Sequence, residues 1–71
     1  MKVWSIRAEG DLCGGIAIVA ADDVELAVSL AEKIPPCDIW PVEWDKPNEC
    51  RPIEAIAFGP PRILDYFEYG E

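Results

Sequence analysis

The sequence predicts an α+β domain: a single helix packed on one face of a four- to five-stranded antiparallel or mixed sheet, in the order ββαβββ. Three observations lead there. Lys2 to Glu9 alternates in hydropathy, the period of a half-buried strand. Val24, Ala27, Val28, Ala31 and Ile34 recur every three to four residues, the period of a helix with one apolar stripe. A chain of 71 residues supplies material for one core only, so a single compact domain over 1–71 is expected.

The elements follow in order. In the first strand Trp4, Ile6 and Ala8 share one face, and Ser5, Arg7 and Glu9 share the other. Gly10-Asp11 carries turn chemistry. Ile16 to Ala21 is apolar on both faces, which predicts a central strand paired antiparallel to the first through a hairpin. Asp22 is the expected N-cap of the helix, with Glu25 three residues on as in a capping box. Glu25, Ser29 and Glu32 lie opposite the apolar stripe, and Leu26 and Leu30 flank it. Pro35-Pro36 stops the helix, because the residue before a proline avoids helical geometry.

Ile39 to Asp45 alternates again, with Trp40, Val42 and Trp44 on one side and Pro41, Glu43 and Asp45 on the other. Pro41 lacks a donor N–H, which predicts a sheet edge. Lys46-Pro47-Asn48 reads as a loop, Ile53 to Phe58 as a strand, Gly59 to Arg62 as a turn, and Ile63 to Tyr69 as the last strand. A helix of about 13 residues is roughly 20 Å long and covers one sheet face only. The other face is expected to be open to solvent, to a second copy or to a partner.

Composition excludes several functions. The absence of histidine removes the imidazole base, the Ser-His and Cys-His pairs and the histidine metal ligand. A net charge of -8 argues against binding nucleic acid through phosphate neutralisation. A 51% apolar content with three tryptophans is too hydrophobic for a disordered acidic tail. The longest apolar run, Ile16 to Ala21, is far short of the roughly 20 residues that cross a bilayer. The strand pattern begins at Lys2, so no cleavable signal and a cytoplasmic location are expected. There Cys13, Cys37 and Cys50 are expected to be free thiols, and three cysteines cannot all pair within one chain.

Candidate reactive groups have ordinary explanations. Cys13-Gly14-Gly15 has Glu9 and Asp11 nearby, which disfavour a thiolate, and no phosphate-loop signature follows. The cysteines contain no CxxC pair for zinc, and Asp22, Asp23 and Glu25 lack the calcium-loop spacing. Glu43 and Asp45, about 7 Å apart along one strand face, have the residue types of a glycosidase pair but too short a chain for its cleft. No catalytic residue, metal or cofactor is expected.

The acids are unevenly placed. Residues 1–21 sum to zero, 22–34 to -3, 35–50 to -3 and 51–71 to -2. Same-face carboxylates on a strand repeat every ~7 Å, close to the phosphate spacing of a nucleic-acid strand. Glu43, Asp45, Glu49 and Glu68 are therefore candidate phosphate stand-ins, with Glu54 and Asp65 extending the patch if their strands are neighbours. A solvated face that keeps the chain soluble accounts for the same acids. Tyr66-Phe67-Glu68-Tyr69 places aromatics on both faces of the last strand, and Tyr66 and Tyr69 are candidate anchors for a protein partner.

Met-Lys-Val-Trp-Ser-Ile at the start, Ala-Ile-Val-Ala leading into a capped helix, and Ile-Leu-Asp-Tyr-Phe-Glu-Tyr-Gly at the end resemble small proteins of bacteriophages and related mobile elements. Size, acidity and the lack of catalytic groups also resemble the anti-CRISPR proteins, a class without a common motif. The resemblance implies a non-enzymatic inhibitor in the bacterial cytoplasm that binds a CRISPR–Cas effector and blocks its basic nucleic-acid-binding surface by charge mimicry. No direct nucleic-acid or membrane contact is expected, and the chain is expected to be a monomer or homodimer. The alternative is a small phage structural or assembly protein that self-associates through the open sheet face.

Overall fold

The computed structural model describes residues 1–10, 13–34 and 43–70, with the backbone alone at 13, 69 and 70. Its elements are β1 (Lys2–Glu9), β2 (Cys13–Ala21), α1 (Val24–Ala31), β3 (Glu43–Trp44), a 3-10 turn (Pro47–Glu49), β4 (Arg51–Ile56) and β5 (Arg62–Gly70). This is the expected ββαβββ order, and every strand pairing is antiparallel.

The β1–β2 hairpin is the centre of the sheet. It runs in unbroken register from Lys2↔Ala21 to Glu9↔Gly14. β5 pairs with β2 on one side. On the other side β1 is paired in two pieces, with β3 opposite Ala8 and Glu9, and β4 opposite Lys2 to Ser5. The chain therefore folds as four strand positions, one of them split by the 3-10 turn.

The alternation in β1 is realised. Ile6 and Ala8 are fully buried, whereas Arg7 and Glu9 are exposed. Cross-strand partners share a face, so Ile6 and Trp4 stand beside Ala17 and Val19 on the side that α1 covers. Ala27, Val28 and Ala31 of α1 close the core, with Val24, Leu30 and Ile34 packed at its margins. Ile6 and Val19 are the largest fully buried side chains; alanines make up most of the rest. Trp4 and Trp44 both pack against this core, and Trp4 Nε1 donates to the Ala21 carbonyl at 3.1 Å. Trp40 lies outside the described residues, as do Ile39, Pro41 and Val42 of the expected strand.

The helix departs from expectation at both ends. Its N-cap is Asp23, not Asp22: the Asp23 carboxylate accepts from Leu26 N at 2.8 Å. Two adjacent aspartates meet the same chemical requirement, and tertiary position selects the second. At the other end Lys33 and Ile34 donate to the carbonyls three residues back. The last turn tightens instead of continuing, because Pro35 disfavours helical geometry at Ile34. The helix is thus eight residues, about 12 Å.

Gly14 and Gly15 belong to β2 rather than to the turn. Both are buried, and Tyr66 of β5 lies over Gly15. A Cβ on Gly15 would stand 2.6 Å from Tyr66 Oη and 2.8 Å from the Phe67 carbonyl oxygen. The glycine is what admits the ring. Gly59, at φ 100°, makes the turn before β5. β4 begins at Arg51, ahead of the expected Ile53, and all six of its residues are exposed. Its apolar composition thus reflects edge packing, not a buried strand.

The link from β4 to β5, residues 57–61, joins opposite edges of the sheet. It crosses three strand spacings, about 14 Å. It does so at the end where β1 begins and β2 finishes. There Val3 and Ala20, paired with each other and facing away from α1, are buried. Arg62 secures the turn by donating to the carbonyls of Phe58 and Pro60 at 2.8 and 3.0 Å.

Gly15→Ala is expected to destabilise the fold by about 2 kcal/mol, a fall of about 10 °C in Tm, since the new methyl meets backbone as well as the tyrosine. Asp23→Ala is expected to cost about 1 kcal/mol through the lost cap, and Asp22→Ala close to nothing. Thermal melts followed by circular dichroism read all three.

Candidate functional site

Glu43, Asp45 and Glu49 gather on the outer edge of β1, and Tyr66, Glu68 and Tyr69 on β5 at the opposite edge. β1 and β2 stand between them, so the two groups are separated by roughly 14 Å across the sheet. They nevertheless meet the same end of it. One cross-strand row reads Glu43, Glu9, Gly14, Tyr69, and the next reads Trp44, Ala8, Gly15, Glu68. Glu54 lies on β4, which neighbours β1 and not β5, so no continuous acidic ladder forms across adjacent strands.

Two of the four candidate carboxylates hold the fold. Asp45 N donates to the Arg7 carbonyl at 2.8 Å, and Asp45 Oδ2 accepts from Arg7 N at 3.0 Å. One residue thus satisfies both backbone groups of Arg7 at the point where β3 has ended and β4 has not begun. The Glu49 carboxylate accepts from Lys46 N at 2.8 Å and closes the 3-10 turn. Asp45 and Glu49 therefore do not form a strand-borne ladder with Glu43.

Glu43 and Glu68 are exposed and make no hydrogen bond or ion pair with the described residues. Tyr66 is half-buried, packed against the core and 6.3 Å from the Trp44 ring at a 49° tilt. It is a packing residue with one accessible side rather than a free anchor. The Tyr69 side chain lies outside the described residues. Phe67, of opposite parity to Tyr66, is an exposed aromatic of β5, at 57%.

Between α1 and the β3 edge lies an open cleft of about 460 Å³ lined by Val28, Glu32, Glu43, Trp44, Asp45 and Lys46, with Pro47 at its rim. The helical period places Glu32 opposite the apolar stripe, yet in the structure it borders this cleft. Its i, i+4 relation to Val28 was the available signal, since that spacing puts both on one helix flank. Glu32 is also the C-cap residue, and the last turn holds no basic side chain. An anion there sits at the negative end of the helix dipole, at a cost of about 0.3–1 kcal/mol. Three acidic residues thus line a cleft to which the chain contributes one cation, Lys46. Of these the Asp45 carboxylate is held on Arg7 N, and the strand register turns Glu43 toward the outer sheet face at the cleft rim. On the sheet face away from α1, a shallower depression of mixed charge is lined by Ser5, Arg7, Glu9, Asp45, Glu49 and Arg51. Arg7 and Glu9 form a 2.9 Å ion pair there, exposed and worth little to stability.

Among the described residues no group of three or more Cys, Asp or Glu is placed to hold a metal ion. Cys50 is a free thiol whose Sγ lies 3.4 Å from the Lys46 carbonyl oxygen. Burial, then the charges of Asp45 and Glu49, push it up from 9.0 to about 11. No helix among the described residues is long and apolar enough to cross a membrane.

Asp45→Ala is expected to cost about 1–2 kcal/mol, because Arg7 N loses its acceptor, while Glu43→Ala changes stability by less than about 0.5 kcal/mol. Urea denaturation separates them. For Cys50 the folded value lies above the unfolded one, so the stability held by the neutral thiol is fully present below pH 9.0 and is lost as pH rises toward about 11. With Cys13 and Cys37 replaced by serine, Cys50 should alkylate at least about tenfold more slowly than a cysteine peptide at neutral pH. Iodoacetamide kinetics across that range provide the check.

No family model, curated protein or solved structure matches the chain.

Proposed function

We propose that the protein is a non-enzymatic inhibitor of anti-CRISPR type. It docks its acidic cleft end on the basic nucleic-acid-binding surface of a protein complex and blocks that surface by charge mimicry. The observation that carries the reading is the lining of one cleft by Glu32, Glu43 and Asp45, with Glu32 held at the unfavourable end of a helix. A Lys or Arg of a partner entering the cleft relieves both the dipole and the mutual repulsion. Glu68 lies at the same end of the sheet and extends the charge across it. The Trp44–Tyr66 pair supplies an aromatic border of the kind that anchors interfaces. Long-range attraction from the net charge of -8 speeds encounter with a basic partner. The CRISPR–Cas effector is the partner class that the resemblance implies.

Asp45 and Glu49 contribute charge but are held by backbone amides, so the informative variants are Glu43→Lys and Glu68→Lys. The double variant should bind a purified effector complex at least about tenfold more weakly, with an unchanged Tm. Wild-type binding should also weaken as salt rises, because the attraction is screened. Calorimetry at two salt concentrations reads both. Equal affinity of wild type and double variant would sink the mimicry mechanism.

A further inference from the structure

The sheet face turned away from α1 holds a second surface, which meets the cleft only at Glu43 and Asp45. Strand register places Ile53, Ile16, Ile18 and Phe67 on it, one or two from each of β4, β2 and β5. Ile16 and Ile18 are half-buried, Ile53 is 38% exposed and Phe67 57%. No described element packs over them: the 57–61 link serves only the end where Val3 and Ala20 are buried.

The same face carries all three arginines of the chain, Arg7, Arg51 and Arg62, through pairing with or membership of its rows. By the same register it carries Glu9, Glu43 and Asp65. The carboxylates of Asp45 and Glu49 at its rim are already bonded to backbone amides. Elsewhere this acidic chain offers mostly carboxylates, which repel a second copy. Here three arginines and three carboxylates are interspersed, Glu9 already paired with Arg7 and Asp65 on Tyr66 N, so a two-fold rotation can bring arginine and carboxylate of opposite copies together.

We propose that this face is the interface of a two-fold homodimer, packed sheet against sheet, with Ile16, Ile18 and Phe67 buried at its middle. Four strand positions by about six residues give roughly 19 by 20 Å per copy. With side-chain relief that approaches the ~1,000 Å² total of a modest but specific interface. Aligned sheet packing is the ordinary way for two such faces to bury their apolar side chains. Pairing through the β5 edge is disfavoured by two features. The register shifts beside Leu64, and the Asp65 carboxylate occupies Tyr66 N at 2.8 Å. The inference goes beyond the inhibitor reading, and the two surfaces share Glu43 and Asp45 at their common edge.

Sedimentation equilibrium over the micromolar range tests it. Wild type should be a dimer, and Phe67→Lys should raise the dimer Kd at least about tenfold at unchanged Tm. Leu26→Lys, at a similarly accessible position on α1, should leave Kd unchanged. If Phe67→Lys perturbs folding, dilution of labelled wild type followed by NMR decides. Amide shifts confined to Ser5, Ile16, Ile18 and Phe67 support the interface; shifts on α1 or along the β5 outer edge overturn it. A chain monomeric into the millimolar range overturns it too, and leaves the face to a partner of another kind.

Discussion

The close approach of α1 to the β1–β2 hairpin is the contact on which the rest of the structure depends. Ala27 and Ala31 share the core with Ala17 and Ala21, and among the described residues Ile6 and Val19 are the largest side chains wholly enclosed. Small residues on both sides let the backbones come near, and they leave shoulders around a helix of eight residues. Trp4, Trp44, Ile63 and Tyr66 fill those shoulders. The aromatic residues therefore form a border between core and solvent, not the core itself. Tyr66 reaches its place only because Gly15 has no side chain, so a glycine in one strand positions the aromatic of the next.

The thin core has a further result on the β1 edge. β1 needs a partner along its whole length, yet the segment that supplies it leaves and returns through a 3-10 turn. Asp45 bridges the gap by serving both backbone groups of Arg7. The charge that reads as a surface feature is thus part of the hydrogen-bond accounting of the sheet, as buried or edge backbone groups require. Glu49 does the same for the turn, and Asp23 for the helix. Among the described residues some acids complete the backbone, Glu9 pairs with Arg7, and others face water with no partner. Glu32, Glu43 and Glu68 belong to the last group.

The two surfaces that result are different in kind. The cleft end is acidic, with one lysine against three carboxylates and an aromatic border. The sheet face away from the helix is apolar in the middle and mixed in charge around it. A single short helix cannot cover both sides of four strand positions, so one domain presents two chemically distinct faces.

Much of the fold was legible in local sequence. The alternation of β1, the stripe of α1, the hairpin and the ββαβββ order follow from periodicity and turn residues, which report how each side chain stands relative to its own backbone. The N-cap was legible only to within two aspartates, and Gly14-Gly15 lay ahead of the expected strand because the role of Gly15 is to receive Tyr66 from a strand fifty residues away. Glu43 and Glu68 were identifiable as exposed acids, but Glu32 was not identifiable as a cleft neighbour of Glu43.

What the sequence determined by itself is which residues turn inward along each element, since that depends on periods of 2 and 3.6 residues. Only the tertiary structure decided which acids are free to act. It split the strand beside β1, turned Asp45 onto the Arg7 amide, and set β5 at the far edge from β3. Those outcomes depend on strand order and on backbone groups left unpaired at a distance. No local pattern records either.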